Sequence, residues 1–222
     1  MHPSAEYLVK TFLNNYINPE NSYNVIEVGC GVDTFIRSNM PSNVTYTGLD
    51  FAVDANADIH MTDQYTIPLA DNSIDMVISS SCFANSEMFW LLFKEMMRVL
   101  KPSGLIYTNT PSAGQWTRQP VDCWRFYPDA GKALANYAKR EGNSNCELVE
   151  SFLCHYDEHW HDFVSVHIKD SDHITQYPTR IFDTINQEAI TNAFVYGVEN
   201  IQLQDDDFEM HRAIWRTGER LL

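Results

Sequence analysis

The sequence predicts an α/β fold: a doubly wound sheet, mostly parallel, with helices on both faces and an antiparallel hairpin strand towards the C-terminus. Three observations predict it. Short apolar runs alternate with amphipathic helical stretches up to about residue 150, and alternating β and α segments with short links build a parallel sheet covered on both faces. The run Val25-Ile26-Glu27-Val28 leads straight into Gly29-Cys30-Gly31. Glycine has no Cβ, so its backbone approaches a ligand closely and accepts positive φ. Asp50 ends the next apolar run, about 20 residues further on, where a carboxylate can hold two ribose hydroxyls. Together they describe a pocket for an adenosine-bearing cofactor.

The elements follow in order. Tyr7, Leu8, Phe12, Leu13, Tyr16 and Ile17 recur near helical spacing, which predicts a helix over 5–17. Residues 23–28 and 44–49 read as buried strands, 57–61 as a short third and 74–79 as a fourth. Phe89, Leu92, Phe93, Met96, Met97 and Leu100 make 86–100 an amphipathic helix, ended by Lys101-Pro102-Ser103-Gly104 because proline cannot continue a helix and glycine suits the turn. Residues 105–109 form a fifth strand and 129–141 a helix closed by Gly142. Residues 147–153 and 163–168 are two strands joined as a hairpin. Beyond them Phe182, Ile185, Ala189, Ile190, Ala193 and Phe194 predict one more helix, and Asp205-Asp206-Asp207 a solvated loop. The expected organisation is a main domain over 1–169 and a C-terminal helical extension over 170–222, serving as a lid, a cover on the sheet or a homodimer contact.

Composition sets the outer limits. Acidic residues outnumber basic ones 30 to 15, for a net charge of −15, and no basic run exists. A phosphate backbone is bound largely by clustered Lys and Arg, so nucleic acid is disfavoured as a partner. No apolar stretch reaches the about 20 residues of a membrane span. No basic region followed by an apolar one opens the chain. Five scattered cysteines without a CxxC pair read as reduced thiols in a cytoplasmic setting.

A nicotinamide enzyme is one candidate, but its GxGxxG fingerprint needs a small residue at the sixth position for close helix–strand contact. Here that position is Thr34, preceded by Asp33. Further on, Ile67-Pro68-Leu69-Ala70-Asp71-Asn72-Ser73-Ile74-Asp75 leads into the fourth strand and Arg98-Val99-Leu100-Lys101-Pro102-Ser103-Gly104 into the fifth. The set over 23–110 resembles the class I S-adenosylmethionine-dependent methyltransferases of type 11, a Rossmann-like family. That family carries ExGxG, an acidic end to its second strand, a D…LP…DSFD segment and an RVLKPGG segment in this order. This chain has Ile74 for the usual Phe, Ser103 for a Gly and Asp33 for the third glycine. Pro111-Ser112-Ala113-Gly114, Pro120-Val121-Asp122-Cys123-Trp124-Arg125-Phe126-Tyr127-Pro128-Asp129 and Trp160-His161-Asp162-Phe163-Val164 further resemble a bacterial methyltransferase group often associated with glycan pathways. That group's acidic-His pair and a later His align here with Ala84-Asn85 and Thr117.

The resemblance implies the following roles. S-adenosylmethionine is the cofactor. Gly29 and Gly31 pass beneath its amino-acid part and ribose, and Glu27 orients that loop or meets the ammonium. Asp50 accepts the ribose hydroxyls, Asp63 the adenine amino group with Gln64 beside it, and Ser80, with Ser79 and Ser81, lies under the methionine part. The competing reading of Asp63 is a turn cap, and of Glu27 a structural loop partner.

Ligands of such sheets bind beyond the carboxyl ends of the strands, so the segments on that rim hold the candidate acceptor site. His155, Asp157, His159, Trp160, His161 and Asp162 lie in the late hairpin; Trp116, Arg118, Asp122, Trp124, Arg125 and Tyr127 follow the fifth strand. His155, His161 and Asp122 are the candidate bases, and Arg125, Trp116, Tyr127 and Trp160 the candidate acceptor contacts, since aromatic faces stack on rings and Arg grips anions. Arg125 pairing with Asp122 or Asp129 is the alternative. The histidines at a period of two raise a metal site; a turn in the same segment breaks the alternation, and the expectation is no metal. The sequence therefore points to methyl transfer onto a small polar acceptor, an oxygen of a sugar or related metabolite. The alternative is a cofactor-binding module without turnover.

Overall fold

A computed structural model describes residues 2–117, 121–143, 145–155 and 160–199. Helix α1 (Pro3–Tyr16) is capped by the His2 side chain, which accepts from the Ser4 N–H. Strand β1 (Tyr23–Val28), a four-residue helix α2 (Phe35–Ser38), β2 (Val44–Asp50), β3 (Ile59–His60) and β4 (Ile74–Ser80) follow. Next come α3 (Phe89–Val99), β5 (Leu100–Ala113), α4 (Asp129–Arg140), β6 (Glu147–His155), β7 (His161–Ile168) and β8 (Ile190–Val195).

The eight strands form one sheet in the order β3-β2-β1-β4-β5-β7-β6-β8. Pairs from β3 through β5 are parallel, while β5–β7, β6–β7 and β6–β8 are antiparallel. The chain steps outward from β1 to β2 on one side and returns to β4 on the other, which leaves a crevice beyond the carboxyl ends of β1 and β4. Strand β7 runs against β5, and β6 against β7, so the β6–β7 connection lies on that same carboxyl edge.

One face of the sheet, through Val25, Ile78, Tyr107 and Val166, packs under Leu8, Val9 and Phe12 of α1. The other, through Ile26, Val77, Ile106 and Phe163, packs under α3 and α4. Burial of these runs supplies the main drive for folding. At the C-terminal side a buried carboxylate joins three segments. Glu150 of β6 is fully buried; it accepts from the Tyr16 hydroxyl at 2.5 Å and from the Ile181 and Phe182 backbone N–H groups at 2.9 and 3.0 Å. At the other end of α1 the Ser4 hydroxyl donates to the buried Asp162 carboxylate.

Two expectations change. Lys101 to Gly104 do not form a turn after the helix: α3 ends at Val99, and Leu100 already pairs with Ile74 across a register shift. The helix expected over 182–194 is absent as well. Short 3-10 turns at Ile181–Asp183 and Gln187–Ala189 lead into β8, which extends the sheet beside β6. Thr184, Asn186, Thr191 and Asn192 are weak helix formers, and the open edge of β6 supplies hydrogen bonds a lone helix would lack. The Asp205–Asp207 loop lies outside the described residues. Among the described residues no helix is long and apolar enough to cross a membrane.

Candidate functional site

The crevice beyond β1, β2 and β4 is a cleft of about 300 Å³, at the small end of sites that hold a cofactor-sized ligand. Its glycine loop is built by backbone. Gly29 stands at φ +80° and Gly31 at φ +56°, the left-handed region that other residues rarely adopt. A Cβ on Gly29 would come within 2.6 Å of the Cys82 Sγ, so the turns after β1 and β4 touch only because that position is glycine. A Cβ on Gly31 would meet nothing within 4 Å; its requirement is conformational.

Asp50 closes the loop from the side. Its Oδ2 accepts from the Gly31 N–H at 2.8 Å and its Oδ1 from the Ala52 N–H at 2.9 Å. The side chain is only 8% exposed yet lines the cleft. Each carboxylate oxygen retains acceptor capacity beyond one backbone donor. Gln64 and Ser80 line the same cleft, as do Phe51, Met61 and Leu92, which give it an apolar side. Among the described residues, the buried hydroxyls of Ser80 and Ser86, both in the lining, have no hydrogen-bond partner. An unpaired buried hydroxyl costs about 1–3 kcal/mol, and a polar ligand would satisfy both. The donor set therefore fits a nucleoside with a polar tail.

Two of the expected cofactor residues stand apart from this lining. Glu27 projects to the opposite face of the sheet from Val28, as neighbours on a strand must, and its Oε2 accepts from the Tyr46 hydroxyl at 2.5 Å. The Arg37 guanidinium sits 4.7 Å over the Tyr46 ring and pairs with Asp58 at 2.8 Å. Glu27 thus ties β1 to β2 through Tyr46. Asp63 is exposed and its Oδ1 accepts from the Tyr65 N–H at 2.7 Å, a turn within its own segment. Cys82, Asn85 and Ser86 line the cleft as well. Sequence reasoning gave them no role, because only the turn between β4 and α3 brings them there.

Glu27 carries a measurable consequence. Burial raises its carboxyl from 4.5 to about 7, against the opposing Tyr46 hydrogen bond. Between those pH values the folded chain holds a proton that the unfolded chain has released, so stability falls as pH rises through the window. At 1.36 kcal/mol per unit, the loss is about 3 kcal/mol and is complete above pH 7. Glu27→Gln keeps an acceptor for Tyr46 and has nothing to ionise. At pH 8 it is expected to melt roughly 6–12 °C above the unaltered chain, and at pH 4.5 at the same temperature; parallel melting curves at both values check it.

The rim residues form three separate groups. His155 Nδ1 lies 3.1 Å from His161 Nε2, and His155 Nε2 lies 2.7 Å from the Thr191 hydroxyl. This pair sits on the carboxyl edge but not in the cleft lining: β5 separates β4 from β7, and His161 lies level with Ala113 of β5, beyond Asn109, where the pairing with β4 ends. Asp122 and Arg125 are bound to each other through both carboxylate oxygens. Asp122 also accepts from the Thr117 N–H at 2.8 Å, and Arg125 donates to the Gln115 carbonyl at 3.0 Å. The guanidinium holds the Asp122 carboxyl down at about 2. Trp160 stacks on His2 at 4.8 Å and fills the space a Cβ on Gly114 would take, while Trp116 is exposed on the intervening segment. Tyr127 lies with Arg125 and Trp124 on a second hollow between α3 and α4. Arg118, Asp157 and His159 lie outside the described residues. Among the described residues no group of three or more His, Cys, Asp and Glu side chains is placed to hold a metal ion.

Comparison with known proteins agrees with this geometry. Residues 26–108 match the family model described as a methyltransferase domain. An uncharacterized methyltransferase of Mycobacterium ulcerans (strain Agy99) is 33% identical over 78 residues, a stretch covering 35% of this chain and 30% of that relative's length. The YcgJ protein from Bacillus subtilis superposes with a TM-score of 0.57 at 11% identity, over 77% of this chain and all (100%) of that one. A structure titled as SAM-dependent methyltransferases, from Methanosarcina mazei, superposes with a TM-score of 0.55 at 14% identity, over 77% and 98% of the two chains. At such identities the superpositions speak for the fold alone: a Rossmann-like α/β sheet with a parallel core and antiparallel C-terminal strands.

Proposed function

We propose that this chain, whose residues 26–108 match the methyltransferase-domain family model, is a class I S-adenosylmethionine-dependent methyltransferase that moves the methyl group of that donor to a small polar acceptor, an oxygen of a sugar or related metabolite. One observation carries the reading. A left-handed glycine loop, a carboxylate tied to it at 2.8 Å and two unpaired serine hydroxyls converge on one cleft. S-adenosylmethionine, when bound, supplies a methyl already activated by its sulfonium. The chain's own residues hold and orient. The Asp50 carboxylate accepts the ribose hydroxyls, Gly31 lets the loop turn beneath them, and the Ser80 and Ser86 hydroxyls meet polar groups of the donor. Phe51, Met61 and Leu92 flank the base, with Gln64 at its edge. Placing two reactants in line can lower a barrier by about 7–11 kcal/mol.

The proton of an acceptor hydroxyl needs a base. Burial holds Cys82, in the cleft lining, up at about 12, which keeps it a thiol. The His155–His161 pair on the same edge takes that part, with the acceptor lying between it and the cofactor cleft. Asp122, held as a carboxylate by Arg125, accepts from the Thr117 N–H, and Trp116 and Trp160 are the acceptor contacts of this reading. A second reading, a cofactor-binding module without turnover, is favoured by Ala84 and Asn85 standing where the resembling group has an acidic-His pair. Titration calorimetry with S-adenosylhomocysteine tests the common premise: micromolar binding is expected, and no heat at millimolar ligand overturns both readings. Methylated product from a panel of glycans and hydroxylated metabolites then separates transfer from mere binding.

A further inference from the structure

We propose that the hollow between the start of α3 and one side of α4 is a second binding site, taking an uncharged aromatic or aliphatic group that the acceptor carries beside its polar, methylated end. Its link to an acceptor rests on the methyl-transfer reading; the hollow itself stands on its own geometry. The space is about 440 Å³, the size of a small-molecule pocket. Phe89 and Trp90 line it from α3, Ala133 and Tyr137 from α4, and Trp124 and Tyr127 from the segment between β5 and α4. Three of these rings meet edge to face: Trp124 lies 5.5 Å from Phe89 at 76° and 6.1 Å from Trp90 at 73°. Such an arrangement fixes their faces without stacking them shut.

The chemistry excludes a charged occupant. The guanidinium of Arg125 is the charge in the lining, and it is consumed by Asp122 and by the Gln115 and Trp124 carbonyls. The indole N–H of Trp124 is likewise consumed, donating to the Ser86 carbonyl at 2.9 Å. What faces the space is ring surface, with Trp124 38% and Tyr127 67% exposed. Leaving such rings in water forgoes about 25 cal/mol for every Å² an apolar group would cover. Position joins the hollow to the cofactor cleft. Ser86 and Leu92 line the cleft, and Phe89 and Trp90, between them in sequence, line the hollow. The stretch from Ser86 to Leu92 thus contributes to both.

The test uses 1-naphthol as the probe, titrated calorimetrically into the full chain saturated with S-adenosylhomocysteine. Naphthol is expected to bind together with the nucleoside at sub-millimolar affinity. Ala133→Phe, which fills the floor of the hollow from an exposed helix position, is expected to weaken naphthol by about tenfold or more, and Trp90→Ala to weaken it as well. S-adenosylhomocysteine affinity should stay unchanged in both variants. Absence of naphthol heat up to its solubility limit overturns the proposal. So does mutual exclusion of the two ligands, or unaltered naphthol affinity in Ala133→Phe. Naphthol binding in a chain that never binds S-adenosylhomocysteine would support the hollow and mark a failure of the methyl-transfer reading alone.

Discussion

Asp50→Ala is expected to weaken S-adenosylhomocysteine binding by about 100-fold or more. The carboxylate is almost wholly buried, and both its oxygens already hold backbone donors of the loop and of its own turn. Alanine removes the acceptor for the ribose hydroxyls and releases the loop in the same step. Hydrogen bonds to a charged group are worth about 1.5–3 kcal/mol each. Two of them amount to at least about 3 kcal/mol, and 1.4 kcal/mol is a factor of ten. Asp50→Asn keeps one oxygen and no charge, so its affinity should fall between the two. A melting curve read beside the calorimetry separates the causes: the orphaned Gly31 and Ala52 N–H groups should lower stability modestly, while affinity drops far more. An Asp50→Ala chain that binds within about threefold of the unaltered one would remove Asp50 from the cofactor site.

The largest effect on stability is expected at Glu150, far from the cleft. Glu150→Ala removes the acceptor shared by the Tyr16 hydroxyl and the N–H groups of Ile181 and Phe182 in the buried interior. At about 1–3 kcal/mol for each orphaned group, the sum is roughly 4 kcal/mol, or a fall of about 8–16 °C in Tm for a chain of this length. Glu150→Gln retains one carbonyl oxygen and should lose about half as much. Thermal melting monitored by circular dichroism checks both. A shift under about 2 °C for the alanine variant would show that water reaches this carboxylate.

Much of this was legible from the sequence because it depends on local rules. The parallel strands β1, β2 and β4 are short apolar runs, the first leading into Gly29 and the second ending at Asp50, and α3 and α4 repeat their apolar residues at helical spacing. Gly29, Gly31 and Asp50 were readable since a backbone conformation and a strand end place them. Other parts were set by contacts distant in sequence. Ile185, Ala189 and Ile190 have helical spacing, yet pairing along β6 draws 190–195 into a strand. Ser86 reaches the cleft only through the 3-10 turn at Phe83–Asn85. Glu27 and Asp63 lie outside the cleft lining, each holding a neighbouring tyrosine, through the Tyr46 hydroxyl and the Tyr65 N–H. His155 and His161 lie on the expected edge, and the register of β6 against β7 is what turns them towards each other.

The tie between Ser4 and Asp162, 158 residues apart, bears on how the chain is made. Helix α1 leaves the ribosome before β6 and β7, and its apolar side needs both for complete docking. At about 5–20 residues per second during synthesis, that side waits many seconds before its last partners exist. Nascent chains halted before residue 162 should therefore recruit holdase chaperones through α1, and release them once β7 has cleared the exit tunnel.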